Sequence, residues 1–130
     1  MVIDTSAVVA ILLDEPESPV IRRAIEDDPV RMMSTASFVE AAMVIETRFG
    51  EAGGRELDLL LHTARIELIP VDREQAELAR DAFRHFGKGR HRAGLNFGDC
   101  FSYALARVSG ERLLFKGDDF GHTDVPVVLD

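Results

Sequence analysis

The sequence has no tryptophan, one tyrosine and a single cysteine, Cys100, among its 130 residues. One cysteine excludes an internal disulfide and a zinc site built from cysteines. The longest unbroken apolar run, Ala7 to Leu13, is far too short to cross a bilayer as a helix. Met1 leads straight into Val2-Ile3 with no basic stretch between, so the expected compartment is the cytosol, away from membranes. There is no glycine motif of the Walker or dinucleotide-binding kind. Ser6, Ser37 and Ser102 sit in no nucleophile elbow. His62, His85, His91 and His122 show no metal-ligand spacing, and Cys100 reads as a small core residue. Nor is there an excess of positive charge: 15 Lys+Arg stand against 23 Asp+Glu, a net charge of -8. A nucleic-acid binder ordinarily shows a basic field. A group of carboxylates that holds metal would inflate the negative count, so the local distribution matters more than the sum.

What is present is ordinary for a folded globular chain: 46% hydrophobic and 29% charged residues. The length fits one domain, residues 1–130. Short apolar runs alternate with longer amphipathic ones, the α/β pattern. Strands are expected at Met1–Asp4, Val30–Met33, Ile66–Val71, Leu113–Lys116 and Val125–Leu129. Helices are expected from Thr5 or Ser6 to Leu13, from Ser18-Pro19 to about Asp28, and from Ser34 or Thr35 to Gly50. Gly53-Gly54 would break the chain before helices at 56–64, 73–86 and 98–109. Strands separated by helices pair in parallel, and such sheets place ligands beyond the carboxyl ends of their strands.

Three carboxylates stand in apolar surroundings. Asp4 follows Val2-Ile3 at a strand end. Glu40 is the only charge in the eight residues Phe38–Ile45, and Asp99 the only one in Phe97–Leu105. No Lys or Arg lies within four positions of Asp4 or Glu40. An ionised carboxylate in an apolar setting is costly unless paired. Asp118-Asp119 follows the strand ending at Lys116 and falls on the same edge of the sheet. Like charges about 4 Å apart repel by about 4 kcal/mol at an effective dielectric of 20, so a gathering of three or four acids calls for a cation. Oxygen ligands without His or Cys select Mg²⁺ or Mn²⁺. Each acid also has a plainer reading. Asp4 would cap the following helix, Asp99 would favour a helix N-terminus, and Asp118-Asp119-Phe120-Gly121 would be a turn.

No acid lies between Asp81 and Asp99, whereas Arg84, Lys88, Arg90 and Arg92 do. This basic segment would grip phosphates beside a metal centre, or it is a solvated loop.

Four segments in order resemble the PIN domains. Asp4-Thr5-Ser6-Ala7 resembles their opening motif. Ser34-Thr35-Ala36-Ser37-Phe38-Val39-Glu40 resembles the second. Leu95-Asn96-Phe97-Gly98-Asp99-Cys100, with Tyr103-Ala104-Leu105-Ala106, resembles the third. Leu113-Leu114-Phe115-Lys116-Gly117-Asp118-Asp119-Phe120 resembles the fourth. Gly87-Lys88-Gly89-Arg90-His91 is similar to the VapC toxin subgroup. The resemblance implies a three-layer α/β/α sandwich around a central parallel sheet of four to five strands. It implies an Mg²⁺- or Mn²⁺-dependent endoribonuclease toxin that forms homodimers and is neutralised by a VapB-like antitoxin, with DNA reached only through that partner. It places the metal on Asp4, Glu40, Asp99 and Asp118. In the family the two acids of the fourth motif are separated by one residue; here Asp118 and Asp119 are adjacent, so both are candidates. Thr5 would orient Asp4 or touch a phosphate, and Arg84, Lys88, Arg90 and Arg92 would position RNA.

Other classes fit less well. A receiver-type phosphoacceptor domain would use Lys116 but wants adjacent acids after the first strand. A haloacid-type phosphatase wants Asp-x-Asp, where Ser6 holds the second place. A catalytically silent PIN-like module that binds RNA or a partner is the non-enzyme alternative.

Overall fold

The computed structural model describes residues 1–129. Four parallel strands form one sheet in the order β3-β2-β1-β4: β1 (Val2–Ile3), β2 (Met32–Ser34), β3 (Glu67–Ile69) and β4 (Leu113–Leu114). The helices are α1 (Thr5–Leu12), α2 (Ser18–Asp27), α3 (Thr35–Thr63), α4 (Arg73–Phe86) and α5 (Phe97–Ser109), with a 3₁₀ turn at Asp119–His122. Successive residues of a strand point to opposite faces, and the two cores follow from that. Ile3 and Leu114 join Val8, Ile11, Ile21 and Leu57 under α1, α2 and α3. Their neighbours Val2 and Leu113 join Ala79, Ala82, Tyr103 and Leu105 under α4 and α5. Three layers result, as the sequence reading expects.

Two boundaries differ from that reading. The interruption falls at Gly50, where the sequence reading ends the third helix and whose φ of 68° and ψ of -161° only glycine adopts without strain, but the helical backbone then resumes and runs through Gly53-Gly54, where a break is expected. Gly53 serves contact instead: a β-carbon there would overlap the Ile45 side chain. The strand expected at Val125–Leu129 is reduced to a single parallel bridge between Leu113 and Val127. Pro126 donates no amide hydrogen, which limits a ladder there. The preceding segment is held from the other side, where Tyr103 donates to Asp124 at 2.6 Å.

Parallel order sends every strand's carboxyl end to one edge. Asp4 follows β1, Ser34 ends β2, and the chain after β4 leads through Lys116 to Asp118-Asp119. The N-termini of α1, α3 and α5 meet around that edge.

Candidate metal centre at the carboxyl edge of the sheet

Asp4 is buried, 3% exposed, in extended backbone at the end of β1. It is the N-cap of α1: its Oδ2 accepts from the Ser6 amide at 3.0 Å and the Ser6 hydroxyl at 2.7 Å. The Ser6 hydroxyl in turn accepts from the Lys116 amide at 2.9 Å, tying Asp4 to the chain beyond β4. The other oxygen, Oδ1, accepts from Ser102 Oγ at 2.5 Å. Capping and membership of an acidic group thus coincide in one side chain.

Asp99 repeats the pattern on α5. It forms a capping box with Asn96: the Asp99 amide donates to Asn96 Oδ1 at 2.8 Å, and Asp99 Oδ2 accepts from the Asn96 amide at 3.0 Å. Its carboxyl is pushed up from the ordinary value of 3.8 to about 7. Burial is the largest cause; the Asn96 amide opposes it, and the charges of Asp4, Asp119 and Glu40 add to it. The charges that add to the burial of Asp99 thus come from three other segments of the chain. Glu40, half-buried on α3, lies against Gly98, where a β-carbon would overlap its carboxylate. Glycine at that position makes the room Glu40 occupies.

The two adjacent acids part company. Asp119 is the one whose charge reaches Asp99. Asp118 lines a cavity of about 830 Å³ together with Glu17, Lys116 and His122. Lys116 pairs with Glu15, and with Glu17 at 3.1 Å, so its ammonium is engaged there and does not serve as a phosphoacceptor's lysine. Thr5 is buried and donates to the Ser37 carbonyl at 3.0 Å, so its hydroxyl is spent inside the protein. Arg84, Lys88, Arg90 and Arg92 are exposed. Arg84 pairs with Asp81 at 3.5 Å, and the Arg90 guanidinium lies 4.9 Å over the Phe83 ring. The Gly87–Leu95 bridge closes the loop that carries Lys88, Arg90 and Arg92 just ahead of α5, while Arg84 stands on α4. Cys100 is buried, and burial with the Asp99 charge pushes its thiol up to about 11, away from any nucleophilic role.

Sequence reasoning passes over Ser37 and Ser102 because it weighs them only as nucleophiles. The available signal is spacing: Ser37 precedes Glu40 by three positions, and Ser102 follows Asp99 by three. Residues i and i+3 share a helix face.

Among the described residues no three His, Cys, Asp or Glu side chains stand close enough to close around an ion as they are. The donor set nonetheless fits a hydrated hard cation. Its members are all carboxylates, the charges of the other acids add to the burial that raises Asp99, and Mg²⁺ usually keeps several waters while touching one or two acids.

Comparison with known proteins agrees. The family model for the PIN domain matches residues 1–126, and the chain belongs to this family. Within it, the chain is 66% identical over 128 residues to a Ribonuclease VapC of Mycolicibacterium smegmatis, covering 98% of this chain and 99% of that protein. It is 62% identical over 128 residues to Ribonuclease VapC30 of Mycobacterium tuberculosis, covering 98% of each. Among solved structures, Mycobacterium tuberculosis VapC20, a sarcin-ricin loop cleaving toxin, superposes with a TM-score of 0.78 at 18% identity, over 95% of both chains. A VapBC2 chain of Rickettsia felis, solved with a promoter DNA fragment, gives a TM-score of 0.70 at 16% identity, over 97% of this chain and 94% of that one. At such identities these structures speak for the fold.

Proposed function

We propose that this chain is an Mg²⁺- or Mn²⁺-dependent endoribonuclease of the VapC kind, the toxin of a cytoplasmic toxin–antitoxin pair. The observation that carries the reading is the placement of Asp4 and Asp99 as caps of α1 and α5 at the carboxyl edge of the sheet, with Glu40 against Gly98 beside Asp99. The names of the close relatives support it.

In this reading Asp4 and Asp99 would hold the ion, through the oxygen lone pairs that their hydrogen bonds leave free. Glu40, aimed from α3 across Gly98, orients the attacking water and accepts its proton. Asp119 completes the acidic set in preference to Asp118. A bound divalent ion acidifies coordinated water and neutralises charge on the scissile phosphate. Arg84, Lys88, Arg90 and Arg92 hold the RNA backbone, and the Arg90–Phe83 stack offers a face to a base. Thr5 belongs to the scaffold behind Asp4.

The partner is a VapB-like antitoxin, which alone brings the toxin to DNA. Phe97, 81% exposed, and Met43, 66% exposed, give apolar surface for that contact or for a homodimer.

The test is cleavage of a labelled structured RNA pool by the purified protein with Mg²⁺, with Mn²⁺ and with EDTA, beside Asp4→Asn and Asp99→Asn. Cutting should require metal and vanish in both folded variants. Equal cutting by the variants, or none in any metal, refutes the mechanism and leaves the silent binding module.

A further inference from the structure

Three of the hydroxyls around Asp4 form a closed circuit. Thr5, next in sequence, donates to the Ser37 carbonyl on α3 at 3.0 Å. Ser37 Oγ and Ser102 Oγ lie 3.0 Å apart, and Ser102 Oγ returns to Asp4 Oδ1 at 2.5 Å. Ser37 and Ser102 are fully buried, with exposures of 0%. An ionised carboxylate only accepts, so the Ser102 proton points to Asp4. Ser102 then has no hydrogen left to give, and Ser37 must be the donor between them. The polarity of the chain is fixed: Ser37 to Ser102 to Asp4.

The placement on the helices is symmetrical. On α3, Ser37 stands three positions before Glu40; on α5, Ser102 stands three positions after Asp99. The two serines meet in the interior behind Asp4, while Glu40 and Asp99 are only half-buried.

We propose that Ser102 and Ser37 are positioning residues, a buried hydroxyl relay that orients Asp4 and registers α3 against α5 for metal binding. The proposal rests on the metal-site reading above. Ser102 acts on Asp4 directly. Ser37 acts through Ser102, denying it any other orientation. Neither touches RNA.

Mn²⁺ binding to the purified protein without RNA, followed by calorimetry and by the free-ion paramagnetic resonance signal, tests this. Ser102→Ala should weaken Mn²⁺ binding on the order of tenfold to a hundredfold, the usual effect of removing a group that orients a ligand. Ser37→Ala should weaken it less. Ser102→Thr, which keeps the hydroxyl, should bind as the parent does and carries the test if Ser102→Ala does not fold. RNA cleavage should show a raised half-saturating Mn²⁺ concentration in Ser102→Ala, with kcat at saturation within a few-fold of the parent. Parental Mn²⁺ affinity in a folded Ser102→Ala protein overturns the proposal. So does lost affinity in a Ser102→Thr protein that melts as the parent does. A parent that binds no Mn²⁺ overturns the metal-site reading itself, and the relay with it.

Discussion

The raised carboxyl of Asp99 turns the candidate site into a measurable burden on the metal-free protein. Its pKa moves from 3.8 to about 7 on folding, upward by about three units. At about 1.4 kcal/mol per unit, keeping Asp99 ionised in the folded chain costs about 4 kcal/mol at most. The sign follows from the direction. A group whose pKa is raised by folding favours the folded state when protonated. That relative advantage is whole below pH 3.8, shrinks as pH rises, and is gone above about 7. Asp99→Asn removes the titration yet keeps an oxygen to accept the Asn96 amide of the capping box. Losing the charge at a helix N-terminus gives back up to about 1 kcal/mol. Asp99 is only half-buried and solvent screens its charge, so the variant should exceed the parent by about 1–2 kcal/mol at pH 8 in EDTA, and by almost nothing at pH 4.

For a chain of this size, that difference corresponds to a Tm higher by roughly 5 °C. Thermal unfolding in EDTA at pH 4, 5, 6, 7 and 8 reads it, with the gap between variant and parent opening mostly between pH 4 and 7. Saturating Mn²⁺ should close the gap by raising the parent alone, since a ligand stabilises only the form that binds it. A variant that melts at or below the parent at pH 8 in EDTA refutes the reasoning, because burial and the neighbouring charges would then not be raising Asp99.

Two other consequences are direct. Gly98→Ala pushes a methyl group into the Glu40 carboxylate, a flexible side chain that can swing aside. Its kcat should fall by about tenfold or more while its Tm stays within a few degrees, and full activity would remove Glu40 from the water-orienting role. Lys88→Ala with Arg92→Ala should weaken RNA binding and flatten the dependence of log K on log[salt] by about 1.4, two single-strand phosphate contacts at 0.7 each. An unchanged slope in a fluorescence-anisotropy titration would return the basic loop to mere solvated surface.

Most of the architecture was legible because it rests on patterns that act locally. Short apolar runs between amphipathic segments carry the parallel sheet and its three layers. The isolation of Asp4, Glu40 and Asp99 among apolar neighbours singles out the two acids that cap α1 and α5 and the one that lies against Gly98. What escaped depends on contact rather than on pattern. Gly53 and Gly50 look equally able to interrupt a helix, and only the packing of Ile45 shows that Gly53 is there for close approach. Asp118 and Asp119 are chemically identical neighbours. Burial of Phe120 holds the 3₁₀ turn that separates them, sending one charge to Asp99 and the other to the Lys116 cavity. The serines were hidden most deeply. A serine in an apolar helix is ordinary, and neither Ser37 nor Ser102 has a local partner to announce it. Their meaning appears only when two helices, far apart in sequence, cross behind the same carboxylate. Motifs identify acids because acids must be present; the hydroxyls that aim them are defined by register. The i, i+3 spacing of serine to acid on both helices is the one trace of that register a sequence can hold, and in a PIN-domain chain it is a feature worth reading alongside the acids.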